Sequence, residues 1–131
     1  LSPNSMVDFK FWCFNGHVEC CLVTYGRENG SLFIDLYDSK WKRIISNIKD
    51  YGVEKINPTV TVPQPKCLDK MLEIASTLSK GQPEMRVDMY LVDDKPVIGE
   101  LTMSSGYGYF TEKYYNYLGG FVDVSLLPQK Q

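Results

Sequence analysis

Four polar side chains in one stretch of this chain are of types that do chemistry together: Arg86, Asp88, Glu100 and Thr102. In residues 85–91, Arg86, Asp88 and Tyr90 alternate with the apolar Met85, Val87, Met89 and Leu91. A strand sends successive side chains to opposite faces, so one face is buried and the other is chemically equipped. Asp93, Asp94 and Lys95 read as a polar turn, and residues 96–103 return as a second strand with Glu100 and Thr102 on one face. Register decides whether the two sets meet, because opposed residues of an antiparallel pair share a face. A three-residue turn opposes Val92 to Pro96 and Asp88 to Glu100, whereas a two-residue turn opposes Asp88 to Gly99 and sends Glu100 to the other side. The first register gathers all four side chains. Facing carboxylates repel unless a cation lies between them or one is protonated. A hard cation such as Mg²⁺, held by one or two carboxylates plus substrate phosphates, answers that need. The glycine-rich run that follows (Ser104, Ser105, Gly106, Tyr107, Gly108) would let backbone approach a phosphate closely. Acidic residues on a hairpin also serve as a solvated face, and the pattern alone leaves both readings open.

The elements that must position this hairpin follow from periodicity and turn chemistry. Residues 7–14 alternate and are β-rich, Asn15-Gly16 is a strong hairpin signal, and residues 17–25 return. A two-residue turn there opposes Phe14 to His17 and Lys10 to Cys21. A second turn at Arg27, Glu28, Asn29 and Gly30 leads into a third strand at residues 31–37, which makes an antiparallel meander. Trp41, Ile44 and Ile45 are spaced like one apolar helical face. Pro58, Pro63 and Pro65 keep residues 58–65 extended. The spacing of Leu68, Met71, Leu72, Ala75 and Leu78 predicts a helix over residues 67–79, stopped by Gly81 and Pro83. A short aromatic helix over residues 111–118, capped by Thr111, ends at Gly119 and Gly120, with residues 122–131 as a weakly docked tail. The expected fold class is α+β: a mostly antiparallel sheet with one main helix packed on it, forming a single domain over residues 1–131.

Composition narrows the function classes. With 44% hydrophobic and 23% charged residues, the 131-residue chain is an ordinary globular domain. A net charge of −2 and a single short basic run at residues 40–43 argue against nucleic acid as a partner. No apolar stretch approaches a membrane span, and the first residues lack a secretory signal pattern. Cys13, Cys20, Cys21 and Cys67 have no metal-type spacing and read as reduced thiols, which fits a cytoplasmic protein. His17 lies near a turn with no nucleophile or metal partner placed around it.

The order of elements, with R-x-D at Arg86 and Asp88 and G-E-x-T at residues 99–102, resembles the C-terminal part of the ATP-grasp fold. It is most similar to the TupA-like branch, linked to cell-surface polysaccharide and teichuronopeptide synthesis and often labelled glycosyltransferase. The run from Asp8 to the Phe14-Asn15-Gly16 turn, Tyr37-Asp38 with Trp41, and Pro65 to Asp69 carry the likeness further. ATP-grasp enzymes clamp ATP between two subdomains and make an acyl phosphate from a carboxylate. The resemblance implies ATP and Mg²⁺ as cofactors and a carboxylate substrate. It implies Asp88, Glu100 and Thr102 as metal ligands; Thr102 stands where many of these enzymes have asparagine. Arg86 would steady the phosphoryl group, Lys10 would face the nucleotide phosphates, and Arg27 would lie toward the acceptor. Ser105 and Gly106, with Gly108, would shape the loop by the carboxyl substrate. It also implies a C-terminal portion of a larger ligase, inactive alone. A glycosyltransferase or a carbohydrate-binding module is the alternative, the latter through the aromatic cluster at Tyr107, Tyr109, Phe110, Tyr114, Tyr115 and Tyr117.

Overall fold

Alternation and turn chemistry build the first hairpin. In the computed structural model, which describes residues 6–49, 54–103 and 108–127, β1 (Val7–Phe14) pairs antiparallel with β2 (His17–Tyr25). Asn15 (φ 46) and Gly16 (φ 87) form the turn between them. Phe14 faces His17 as expected, but Lys10 faces Leu22, not Cys21. The ladder slips by one residue between Trp12 and Cys13, where Glu19 is left unpaired on β2 as a bulge.

The sheet extends on both sides of this hairpin. β3 (Leu32–Asp38) pairs with β2, and a two-residue β4 (Glu54–Lys55), which the sequence did not signal, runs parallel to β3. On the other side, β5 (Met85–Val92) pairs with β1, and β6 (Lys95–Thr102) forms the outer strand. The order is β4-β3-β2-β1-β5-β6, antiparallel throughout its five longer strands. The fold is therefore α+β. Trp41, Ile44 and Ile45 do not form a helical face. Trp41 adopts φ 64 in a turn and stacks on Tyr37 at 4.3 Å between ring centres, and only Ile45–Asn47 makes a single 3-10 turn.

Two cores occupy the two faces. Helix α1 (Leu68–Ser79) buries Leu68, Met71 and Ala75 against Phe9, Phe11, Val23, Val87 and Met89. Its end is tied to the first hairpin: Ser76 Oγ donates to the Gly16 carbonyl at 2.7 Å, and the Gly81 amide donates to Asn15 Oδ1 at 2.7 Å. On the opposite face, helix α2 (Glu112–Gly119) packs Tyr114 and Leu118 near Trp12, Phe14, Cys20 and Leu22. Thr111 caps α2 by accepting from the Tyr114 amide at 3.2 Å. Residues 124–126 form one further 3-10 turn.

A buried ion pair fixes the long connection after β3. The Asp35 carboxylate, with no solvent exposure, accepts from Arg43 Nε at 2.8 Å and from the Tyr37 hydroxyl at 2.8 Å. Arg43 Nη2 then donates to the Asn57 carbonyl at 2.6 Å, and the Tyr37 hydroxyl accepts from the Val62 amide at 2.8 Å. This network explains how an extended, proline-rich segment is held without helix or sheet.

Candidate functional site

On β1 and β5 the residues facing away from α1 include the charged Asp8, Lys10, Arg86 and Asp88. Lys10 and Asp88 are direct neighbours across the β1–β5 ladder, as are Trp12 and Arg86. Lys10 Nζ lies 3.0 Å from Asp88 Oδ2. Arg86 grips the same carboxylate twice, Nε on Oδ1 at 2.8 Å and Nη2 on Oδ2 at 3.0 Å. All three side chains are about nine-tenths buried, with 12%, 9% and 11% exposure for Lys10, Asp88 and Arg86. The Arg86 guanidinium also sits over the Trp12 ring at 5.6 Å, a cation–π contact that fixes its plane.

The β5–β6 hairpin brings Glu100 opposite Asp88 and Thr102 opposite Arg86, so the four side chains share a face. They do so by a different route from the three-residue turn. The turn is Asp93-Asp94, with φ 51 and 60, and Val92 faces Lys95. A bulge between Asp88 and Met89 then leaves Gly99 unpaired and restores the Asp88–Glu100 pair. The repulsion expected between the two carboxylates is met by Arg86, whose Nη2 lies 3.7 Å from Glu100 Oε2. Glu100 itself is 63% exposed. Thr102 Oγ1 is buried without a hydrogen-bond partner.

In front of this array lies a pocket of about 420 Å³. Lys10, Arg27, Asp88 and Glu100 line it, together with Asp8 and Tyr90; Arg86 and Thr102 are not part of its lining. Both signs of charge thus border one space. That arrangement can take an anion at the lysine and arginine and a hard cation at the carboxylates. Among the described residues, no group of three or more histidine, cysteine or acidic side chains converges as in an all-protein metal centre.

A family model, TupA-like ATPgrasp, matches residues 2–122. The chain belongs to the TupA-like ATP-grasp family. No curated protein and no solved structure matches it. No helix among the described residues is long and apolar enough to cross a membrane.

The remaining sequence expectations for this ATP-grasp chain divide cleanly. Ser105 and Gly106 lie outside the described residues. The Gly108 amide is committed to the Tyr115 hydroxyl at 2.8 Å, so Gly108 anchors the aromatic helix. Arg27 is exposed in a 3-10 turn entered through Gly26, whose φ of 91 and 2.8 Å clearance to the Ser31 carbonyl exclude any side chain. His17 stacks on Phe121 and pairs with Glu19 at 2.6 Å, away from the pocket. The four thiols are free; burial pushes Cys13 and Cys20 up to about 12 and Cys21 well above its ordinary value. Two contributors carried no assigned role: Asp8 and Trp12. The alternation that places Lys10 in the site places Asp8 on the same face, so Asp8 was findable. Trp12 was not, because its value lies in a partner on a strand more than seventy residues away.

Proposed function

We propose that this chain supplies the metal- and phosphate-binding face of an ATP-dependent carboxylate ligase working through an acyl phosphate, in synthesis of a cell-surface polysaccharide. The observation that carries the reading is that Lys10, Asp88 and Glu100, from three strands, line one pocket, with Arg86 gripping Asp88 beside it. Membership of an ATP-grasp family supports ATP as the nucleotide.

The donor set fits Mg²⁺. Two carboxylates on opposed strand positions, Asp88 and Glu100, would be its protein ligands, with phosphates and waters completing the shell. Thr102 Oγ1, buried without a hydrogen-bond partner, would hold one of those waters. When bound, the ion would neutralise charge on the phosphates. Lys10 and Arg27, which line the same pocket, would take the phosphate oxygens. Arg86 acts through Asp88, holding that carboxylate in one orientation while Trp12 holds Arg86.

The test is calorimetric titration with Mg²⁺ and a non-hydrolysable ATP analogue, beside Glu100→Gln. Binding by the parent and its loss in the variant is expected; equal binding by both would remove Glu100 from the site and sink the reading.

Carbohydrate binding is a second reading with one observation in its favour. A separate pocket of about 660 Å³ is lined by Tyr114, Tyr117, Asn47, Asp38 and Lys113. Tyr117 is 56% exposed, with its hydroxyl held by Glu19 at 2.9 Å. Loss of glycan binding in Tyr117→Ala, with nucleotide binding intact, would assign that pocket.

A further inference from the structure

Asp88 carries more positive charge than it needs. Arg86 already satisfies both of its oxygens in a bidentate fork, and Lys10 adds a second cation on Oδ2. The two cations differ in one respect. Arg86 is not part of the pocket lining and lies over the Trp12 ring, while Lys10 lines the pocket. An ammonium on a flexible four-carbon stem can swing away; a forked, stacked guanidinium cannot do so without losing two hydrogen bonds. Glu100, the opposed carboxylate, is met only at 3.7 Å by Arg86 and stays largely in solvent.

We infer that the Lys10 ammonium is a built-in stand-in for the metal at Asp88, and that the metal and the nucleotide phosphates must arrive together to displace it. The inference rests on the metal–phosphate reading above and adds an order of events to it. A bare divalent ion approaching Asp88 meets Lys10 on the oxygen it needs. Displacing Lys10 alone would leave a nearly buried ammonium without its anion, which opposes binding. A metal–nucleotide complex removes that obstacle, because its phosphates offer Lys10 a new anionic partner within the same pocket. Each group then keeps an oppositely charged partner: Lys10 exchanges a carboxylate for a phosphate, and Asp88 exchanges an ammonium for a metal ion. The device would keep free Mg²⁺ out of the site until nucleotide is present.

The consequence is a pair of effects of opposite sign in one variant. In Lys10→Met, Asp88 keeps its Arg86 fork and its orientation, but Oδ2 is open. Affinity for Mn²⁺ alone, read from the loss of the free-ion signal in electron paramagnetic resonance, is expected to rise about tenfold. Affinity for the Mg²⁺ complex of a non-hydrolysable ATP analogue, read by calorimetry, is expected to fall by about tenfold, since a charged phosphate partner is lost. Lys10→Arg keeps a cation on Asp88 and should bind bare Mn²⁺ as poorly as the parent. Lys10→Gln, neutral but still able to donate to Asp88, repeats the test if methionine is not tolerated. Adding Glu100→Gln to Lys10→Met should reverse the Mn²⁺ gain, which places the ion here. Mn²⁺ affinity unchanged or reduced in both neutral variants, or no Mn²⁺ bound by either, would overturn the inference. Failure of the parent to bind the nucleotide complex would instead remove the ligase reading, while the Mn²⁺ comparison still decides the role of Lys10.

Discussion

Asp88 and Glu100 face each other across a strand pair, yet their loss should have very different consequences. Asp88→Asn keeps the shape of the side chain and removes its charge. Lys10 and Arg86, each about nine-tenths buried, then lose their shared anion. Breaking a buried ion pair by neutralising one partner costs about 3–5 kcal/mol. Glu100 cannot make up the difference, because it sits 3.7 Å from Arg86 and is mostly solvated. With a urea dependence of about 1.5 kcal/mol per molar, the unfolding midpoint of Asp88→Asn should fall by about 2 M or more. Glu100→Gln changes an exposed side chain and should stay within about 0.5 kcal/mol of the parent. Equilibrium urea unfolding followed by far-ultraviolet circular dichroism measures both. Adding Lys10→Met to Asp88→Asn should recover at least about 1 kcal/mol through the coupling of contacting groups. An Asp88→Asn midpoint indistinguishable from the parent would refute the view that this carboxylate joins β1 to β5. It also follows that Glu100→Gln, which spares the fold, is the cleaner probe of binding.

Three further outcomes are expected. Native protein exposed to a small alkylating reagent should gain one adduct, at half-buried Cys67, and four once unfolded without reductant, as intact mass reports; the other three thiols are buried and held protonated by desolvation. Burial raises the Glu84 carboxyl above its ordinary value of 4.5, so its contribution to stability is full below that value and is lost as pH rises through the folded one. Glu84→Gln should therefore have a higher melting temperature than the parent at neutral pH, a gain that vanishes below the ordinary carboxylate range. Replacing Asp93-Asp94, both at positive φ, by Asn-Gly should stabilise the hairpin by about 0.5–1 kcal/mol in thermal unfolding, and a destabilised variant would contradict the assigned turn.

Much of the fold was legible because its signals are local. Alternation located β1, β2, β3 and β5, the Asn15-Gly16 pair located the first turn, and Thr111 located the start of α2. What was not legible depends on partners far along the chain. Trp41, Ile44 and Ile45 have helical spacing, but Trp41 is claimed by Tyr37 on one side and by the Val62 carbonyl, to which its indole donates at 2.9 Å, on the other. At the slip, the Glu19 side chain has one local partner, His17, and one distant one, Tyr117 from α2. Tertiary claims of this kind override a local period without leaving a trace in it.

The site shows why a correct pairing can follow from an incorrect turn. A three-residue turn opposes Asp88 to Glu100, and so does a two-residue turn followed by a one-residue bulge; the two differ in the pairing of Met89 to Val92, between the bulge and the turn. Alternation cannot choose between them, because Gly99 has no side chain to declare a face. Backbone chemistry can, since two consecutive aspartates tolerate the left-handed conformation that a two-residue hairpin turn demands. The bulge route has a consequence that a regular ladder would lack. A bulge bends its strand and increases local twist. On this hairpin the bulged strand carries Glu100 at 63% exposure, while its partner Asp88 stays at 9%. Two carboxylates in register thus differ in setting: Asp88 is held by two cations on an inner strand, and Glu100 stands on the outer strand largely in solvent.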